Sequence, residues 1–320
     1  MQDIETDFFA LARPMSHPPI ALFVFNRPEH TRRVLASLAG NAEFADSPLH
    51  IYCDGPRHPG DMPQVEAVRQ IVRDWPHPLK VVCESQCNQG LASAVISGVT
   101  EVCQQYGRII VVEDDLVAAP TFLRFMGQAL ARYADQPEVM QIAGHMYPVP
   151  LPGHDDAIFL PFASSWGWAT WARAWAHFDP TMQHYERLST DRALRRQFDL
   201  DGAYPFFSFL RRQRLGKINS WYVRWNLSIF ARRGLVLYPR HSLIRNNGFD
   251  GSGVHCGVGG SPYDGTGPLP DQAPVQLPAL HIDTQAYSRV REFLRSKNTF
   301  LQRLNRRLRV MLSRAPIPSP

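Results

Sequence analysis

The sequence lacks long hydrophobic runs. No apolar stretch reaches the roughly 18 consecutive residues that a membrane-spanning helix needs, so we expect no transmembrane segment. The segment from Met1 to Met15 carries acids at Asp3, Glu5 and Asp7 and lacks the apolar region of a secretory signal. We therefore expect no signal peptide and a cytoplasmic location.

Cysteine is also scarce, and its spacing does not fit a common metal or disulfide framework. The chain has five cysteines, and Cys83 and Cys87 form the one close pair. We expect buried free thiols in a reducing compartment. The net charge of +5 is too small to predict nucleic-acid binding by itself, and we expect none.

Apolar runs alternate with helical segments through the first part of the chain. Runs at 20–25, 49–53, 79–83 and 109–112 predict strands, and helical periodicity is found at 31–39, 65–75, 91–106 and 121–133. This alternation predicts βαβ units, and therefore an α/β fold with a Rossmann-like, mostly parallel sheet flanked by helices. After Val139 the chain becomes rich in aromatic residues and loops, which indicates a substrate-facing, acceptor-side second half of the same domain.

Three acids, Glu113, Asp114 and Asp115, directly follow the fourth apolar run. Ligands of open α/β sheets bind beyond the carboxyl ends of strands, and three adjacent carboxylates repel one another unless a cation offsets their charge. Hard oxygen ligands favour Mg²⁺ or Mn²⁺, which would carry a diphosphate. The alternative is a solvated turn or the start of a helix.

Other polar residues follow the earlier strands and should reach the same crevice. Asp54 is predicted either to contact a nucleoside or to close an Asx turn, and Arg27 either to bind a phosphate or to be a surface charge. Asn88 precedes Gly90, which would let the backbone approach a ligand or would simply open a helix.

Together, these strings resemble the GT-A glycosyltransferases. The strings are Phe25-Asn26-Arg27-Pro28, Asp54-Gly55-Pro56, Asn88-Gln89-Gly90-Leu91 and Val112-Glu113-Asp114-Asp115-Leu116. The resemblance is to bacterial family-2-like enzymes and, more distantly, to the N-acetylglucosaminyltransferase I type, whose metal motif is also Glu-Asp-Asp. Two later strings, at 164–171 and 251–255, also fit, so the resemblance covers about residues 18–258.

The resemblance implies a GT-A fold and a specific chemistry. A hexose or N-acetylhexosamine would pass from a nucleoside diphosphate donor to a hydroxyl of a glycan or lipid-linked acceptor, with inversion, as in polysaccharide biosynthesis. Base and ribose contacts would come from Phe25, Asn26, Arg27 and Asp54. Asp114 would approach the donor sugar or ribose, and Asp115 would coordinate Mn²⁺ or Mg²⁺ at the diphosphate.

The base that would deprotonate the acceptor is the least defined part of the site. Downstream acids are candidates, and we favour Asp201, which precedes an aromatic stretch, over Asp179 and Asp199. His255, in a glycine-rich loop, is a candidate second contact for the metal or diphosphate, or a loop histidine without a ligand.

Tryptophans in the second half are candidates for sugar stacking. Trp166 and Trp168 flank Gly167, which would permit close approach of a sugar ring, although core filling is the alternative. Trp171 and Trp175 are spaced as core residues.

The C-terminal segment is strongly basic and amphipathic. Apolar residues recur at helical spacing from about 287 to 314, with many arginines between them. Such a helix contacts a membrane surface or partner, or packs on its domain with a solvated basic face. We therefore divide the chain into a tail (1–17), a glycosyltransferase domain (18–280, with a nucleotide-sugar half at 18–135 and an acceptor half at 136–280) and a basic helix (281–320).

Two other functions fit parts of the pattern. A nucleotidyltransferase shares the βαβ plan and the metal-bound acids, but it would carry a glycine-rich loop after the first strand, where Phe25-Asn26-Arg27-Pro28-Glu29 has no glycine. A catalytically degenerate sugar-binding subunit would also explain the uncertain base.

Overall fold

The computed structural model describes residues 17–151, 156–251, 261, 263–265, 267–272, 274 and 276–298. The strands in this part of the chain are β1 (Ile20–Val24), β2 (Leu49–Cys53), β3 (Lys80–Glu84), β4 (Arg108–Glu113), β5 (Leu116–Ala118), β6 (Val139–Ala143), β7 (Ala157–Leu160), β8 (Trp168–Trp171), β9 (Leu235–Pro239) and β10 (Ile244–Asn246). The α-helices are α1 (Pro28–Ala39), α2 (Met62–Asp74), α3 (Leu91–Tyr106), α4 (Phe122–Arg132), α5 (Ala172–Trp175), α6 (Tyr185–Thr190), α7 (Arg192–Phe198), α8 (Phe206–Arg214), α9 (Trp221–Ala231) and α10 (Thr284–Lys297).

One large sheet organises the molecule, in the order β3-β2-β1-β4-β8-β6-β9-β7. β1 is parallel to both β2 and β4, and β2 is parallel to β3. β8 runs antiparallel between β4 and β6, whereas β6 and β9 are again parallel. The predicted α/β class, with a mostly parallel sheet flanked by helices, is confirmed.

The central strands are apolar because they are buried throughout. All five residues of β1 are buried, as are the four residues from Ile109 to Val112 in β4. α3 packs tightly here, since a Cβ added at Gly98 would lie 2.9 Å from ring atoms of Phe23 and Tyr52. The continuous apolar runs in the sequence therefore correspond to strands that are covered on both faces.

The predicted elements of the first half are found with small shifts at their ends. β2 and α3 have the predicted bounds, and β4 is one residue longer at each end. α1 begins at Pro28, ahead of the helical periodicity at 31–39, because proline in the first turn has the φ that a helix requires.

The second half completes the same sheet, since β8 inserts between β4 and β6. Its aromatic residues form clusters in the core. Trp171 and Trp175 are buried as expected, and Trp168 stacks on Trp221 with ring centroids 4.9 Å apart.

The cysteines in the described residues are free. Cys53 and Cys103 are buried, Cys83 is half-buried and Cys87 is exposed. The expectation of buried thiols therefore holds for two of these four cysteines.

The predicted C-terminal helix is observed in part, as α10. Its apolar face packs on the domain through Ala286, Val290 and Leu294, and the Phe293 ring lies 5.9 Å from the Tyr147 ring. The remainder of the predicted helix, from residue 299 onward, lies outside the described residues. Within the part of the chain that the structure describes, none of the helices is both long and apolar enough to cross a membrane.

A small second sheet lies beside the carboxyl end of β4. β5 follows Asp115 directly and pairs antiparallel with β10, with Leu116 opposite Asn246. This pairing brings a segment more than a hundred residues away in sequence against the acidic triplet.

Candidate functional site

The acidic triplet lies at the carboxyl end of β4, beside the end of β1. Because β1 and β4 are parallel neighbours, Arg27 reaches the triplet from the loop after β1. Its Nη1 lies 3.5 Å from Asp114 Oδ1 and 3.6 Å from Asp115 Oδ2. The side chains of all three residues are nearly buried, with exposed fractions of 11–14%. The structure thus places a guanidinium against two aspartates in the crevice.

Burial makes this cluster electrostatically unfavourable when it is fully ionised. Burial raises the pKa of Glu113 well above its usual range, and the charges of Asp115 and Asp114 add to the effect. Burial, followed by the charge of Asp115, raises the pKa of Asp114 to about 7. Burial also raises the pKa of Asp115, against the opposing charge of Arg27. A single arginine therefore does not compensate the three carboxylates.

Two polar atoms in the cluster have no hydrogen-bond partner among the described residues. They are Oδ1 of Asp115 and Nη2 of Arg27, and both are buried. An orphaned carboxylate oxygen next to a second carboxylate fits a divalent cation, and an orphaned guanidinium nitrogen fits an anionic oxygen. No cluster of three or more His, Cys, Asp or Glu side chains in the described residues is arranged to hold a metal ion. The fit is therefore to a cation held by one or two carboxylates together with ligand phosphates.

The segment that follows β10 closes over Asp115. The Asn247 backbone N–H donates to the Asp115 carbonyl oxygen at 2.8 Å. A larger residue at Gly248 would displace Asp115, since an added Cβ would lie 2.5 Å from Asp115 Oδ2 and 2.9 Å from Asp115 Cβ. His30, from α1, holds the segment from the other side through Asn247 O at 3.4 Å and Asp250 Oδ2 at 3.3 Å. None of these contacts was predicted from the sequence.

Asp54 anchors the loop that leads into α3. Its Oδ1 accepts from the N–H groups of Gly55 and Gln89 at 2.9 and 2.8 Å. Its Oδ2 accepts from Asn88 Nδ2 and Gly90 N–H at 2.9 and 3.0 Å. The carboxylate therefore anchors the loop at 88–90. It does not close an Asx turn, because the residue two positions on is Pro56, which has no N–H, and a contact between Asp54 and a base stays a prediction. Gly90 has φ of +78°, which suits glycine at this helix start.

Phe25 and Asn26 are placed at the same crevice by a further aspartate. Asn26 Nδ2 donates to Asp61 Oδ1 at 3.1 Å, and Asp61 also pairs with Arg57 at 3.2 Å. The Arg57 guanidinium lies 4.9 Å from the centre of the Phe25 ring. This arrangement orders the strand-end loop, and the predicted contacts of Phe25 and Asn26 with a nucleoside stay predictions.

The structure places the two candidate stacking tryptophans in different environments. Trp168 is fully buried in β8, where it cannot present a face to a ligand without rearrangement of the core. Trp166 is half-buried, and its ring packs edge-on against His145 and Phe249 at 4.5 and 6.1 Å. Gly167, with φ of +56°, packs against Ile244 of β10, so its role in the structure is close packing.

One further acid near the triplet was not predicted. Asp264 Oδ2 accepts from the Asn246 backbone N–H at 3.1 Å, and its Oδ1 lies 3.7 Å from His145 Nε2. Burial raises the pKa of Asp264 to about 6, and the charge of Asp115 acts in the same direction. Its sequence context, a glycine-rich loop, resembles an ordinary turn and gives no signal of a site. The pairing of β10 with β5 brings Asp264 close to the triplet.

The predicted base lies beside α10, and the predicted second metal contact falls outside the described residues. Asp201 pairs with Arg291 of α10 and lies 3.6 Å from Arg196 Nε, and its backbone has a positive φ of 55°. It therefore stands at the contact between α7 and α10, and its catalytic role stays a prediction. His255 lies outside the described residues.

Comparisons with known proteins add little to this geometry. No protein-family model and no curated protein matches the sequence. Among solved structures, the mannosyltransferase PcManGT from Pyrobaculum calidifontis in complex with GDP-Man and Mn²⁺ is similar at 16% identity and a TM-score of 0.30. That similarity covers 41% of this chain and 36% of the mannosyltransferase chain.

Proposed function

We propose that this protein is a metal-dependent glycosyltransferase that moves a sugar from a nucleoside diphosphate donor to a hydroxyl acceptor. The observation that carries the proposal is the buried Arg27–Asp114–Asp115 cluster at the carboxyl ends of β1 and β4, with an orphaned oxygen on Asp115. This cluster combines a cation site and an anion site within one crevice, as a metal–diphosphate ligand requires.

Each member of the cluster has a distinct role in the proposal. Asp115, whose Oδ1 has no hydrogen-bond partner, would hold Mn²⁺ or Mg²⁺, and the bound cation would supply Lewis-acid stabilisation of the departing diphosphate. Arg27 directs its orphaned Nη2 at a phosphate oxygen, and Asp114 faces the donor ribose or sugar. Glu113 supports the other two acids from the end of β4.

The donor-binding wall comes from the neighbouring loops. Phe25 and Asn26, which contact Arg57 and Asp61, would bind the base and ribose. Asp54 fixes the backbone of Asn88 and Gly90 so that it can approach the donor. Trp166 supplies an aromatic edge on the acceptor side.

Turnover of donor sugars tests the proposal. Nucleoside diphosphate release from UDP- and GDP-hexoses and N-acetylhexosamines would be measured with Mn²⁺ and with EDTA. We expect Mn²⁺-dependent release for at least one donor and its loss in Asp115→Ala. Asp46→Asn, which removes an exposed carboxylate, is the matched control. Absence of turnover with every donor, or turnover that Asp115→Ala leaves intact, would refute the enzyme proposal.

We further propose that the enzyme acts at the cytoplasmic face of a membrane on a glycan or lipid-linked acceptor. The support is the basic character of the C-terminal segment, which suits an anionic lipid surface. Because α10 contributes Val290 and Leu294 to the core, the test should remove residues 299–320 alone. We expect this truncation to lower cosedimentation with phosphatidylserine vesicles at low salt while the domain stays folded. Unchanged binding would refute the membrane contact.

A further inference from the structure

Asp264 stands next to the proposed donor site and is held there by Asn246. The Asn246 backbone N–H donates to Asp264 Oδ2 at 3.1 Å. A hydrogen bond from the Asn246 side chain lowers the pKa of Asp115, so this one residue connects the two acids. Asn246 is 7% exposed and lies in β10, opposite Leu116 of β5. The position of Asp264 relative to the triplet is thus set by strand pairing.

The groups around Asp264 leave its carboxylate available to accept a proton. Burial lowers the pKa of His145 to about 4, so the imidazole facing Asp264 is neutral near pH 7. The His145 Nε2 atom lies 3.1 Å from the Tyr263 carbonyl oxygen and 3.7 Å from Asp264 Oδ1. Because the Tyr263 carbonyl oxygen is an acceptor, Nε2 carries the proton and donates it there, and the neutral imidazole stands beside the carboxylate without forming an ion pair.

Aromatic side chains form a wall beside this carboxylate. The ring of Tyr263, the preceding residue, lies 6.5 Å from Trp166 and 6.1 Å from Tyr147. Aromatic surfaces next to a carboxylate are typical of sugar-binding pockets, because they pack on the apolar faces of sugar rings. The side chain of Asp264 is 11% exposed, so it is nearly buried but still accessible from solvent.

We propose that Asp264 is the catalytic base that accepts the proton of the acceptor hydroxyl, an assignment that rests on the proposed function. The acceptor oxygen forms a bond to the anomeric carbon of the donor as the bond from that carbon to the diphosphate oxygen breaks. The electron pair of the broken bond leaves with the diphosphate, and the hydroxyl proton passes to the Asp264 carboxylate. The carboxylate of Asp201 is less suited to accept this proton, because it pairs with Arg291 and faces Arg196.

Azide provides a test that separates a base from a structural residue, because azide attacks without losing a proton. The donor that wild type hydrolyses fastest would be tested with Mn²⁺, with water alone and with added sodium azide. We expect Asp264→Asn to lower hydrolysis by about 100-fold or more and to leave nucleoside diphosphate release by azide near the wild-type rate. The asparagine still accepts the hydrogen bond from Asn246, so the loop keeps its anchor.

Two further variants complete the experiment. Asp191→Asn makes the same chemical change at the start of α7, where Asp191 Oδ1 accepts from Leu194 N–H at 2.9 Å, and it should leave both reactions unchanged. Asp201→Asn tests the rival base. Undiminished hydrolysis in Asp264→Asn, equal loss of both reactions, or selective loss of hydrolysis in Asp201→Asn would each overturn the assignment. Absence of wild-type turnover with every donor overturns the proposed function itself, and the assignment with it.

Discussion

Replacing Asp114 with asparagine should stabilise the metal-free protein much more at pH 8 than at pH 5. Burial, and then the charge of Asp115, raises the pKa of this carboxyl from 3.8 to about 7 in the folded state. The unfolded chain therefore releases the proton near pH 4, whereas the folded chain keeps it until about pH 7. The stability that this group contributes is complete below the unfolded pKa and is lost as pH rises through the folded pKa.

The size of the effect follows from the two pKa values. At pH 8 both states are ionised, and the gap between 3.8 and about 7 corresponds to about 4 kcal/mol of lost stability relative to the protonated form. At pH 5 the folded protein is still protonated, and the loss is only about 1.5 kcal/mol. Asparagine is isosteric and does not titrate. The stability advantage of the variant over wild type should therefore grow by about 2–3 kcal/mol between pH 5 and pH 8.

Guanidinium denaturation followed by tryptophan fluorescence, in EDTA at both pH values, measures this difference. Asp46→Asn removes an exposed carboxylate and should show the same small stability difference at both pH values. If the advantage of Asp114→Asn does not grow with pH, the acidic cluster is not buried and mutually repelling as described.

Three other substitutions test the contacts of the site. Arg27→Gln should bind Mn²⁺ alone more tightly than wild type, because a competing positive charge is removed, and should bind nucleoside diphosphate about 10- to 100-fold more weakly. Calorimetry measures the two affinities. Weaker binding of Mn²⁺ as well as of the nucleotide would contradict the proposed role of Arg27. Gly248→Ala should abolish the stabilisation that Mn²⁺ and nucleotide give in a thermal-shift assay, because its Cβ displaces Asp115; an unchanged shift would refute the packing argument. Asp54→Ala removes the acceptor of the buried Gly55 N–H and of the N–H groups of Gln89 and Gly90, whereas Asn88 Nδ2 keeps its bond to the Gly55 carbonyl oxygen. The variant should lower the free energy of unfolding by about 2–3 kcal/mol, and a loss below about 1 kcal/mol would show that this loop is not anchored by the carboxylate.

The first half of the fold was predictable because its signals are local. β1 and β4 are uninterrupted apolar runs, and α3 has a clear helical period between Gly90 and Gly107, so their ends can be read from neighbouring residues. Parallel pairing then follows from the βαβ alternation, and with it the meeting of Arg27 with the acidic triplet. The crevice could therefore be anticipated from four short strings.

The side of the site formed by Asp264 and His145 depends on strand pairing between distant parts of the chain. Local sequence patterns do not predict such pairing. Asp264 and His145 meet because β10 pairs with β5 and carries its following loop to Asp115. Trp166 and Trp168 show the same limit, since two tryptophans on either side of a glycine look alike in sequence. Only the insertion of β8 between β4 and β6 determines that Trp168 enters the core.

The position of a bound metal ion would show whether Asp115 and Arg27 have the roles proposed for them. Crystals grown with Mn²⁺ and a nucleoside diphosphate would be measured at a wavelength where manganese scatters anomalously. We expect an anomalous peak bonded to a carboxylate oxygen of Asp115 and to the diphosphate, with Arg27 moved from the aspartates onto a phosphate oxygen. A nucleotide bound in the crevice with manganese away from Asp115, or with Arg27 still paired to Asp114 and Asp115, would contradict it.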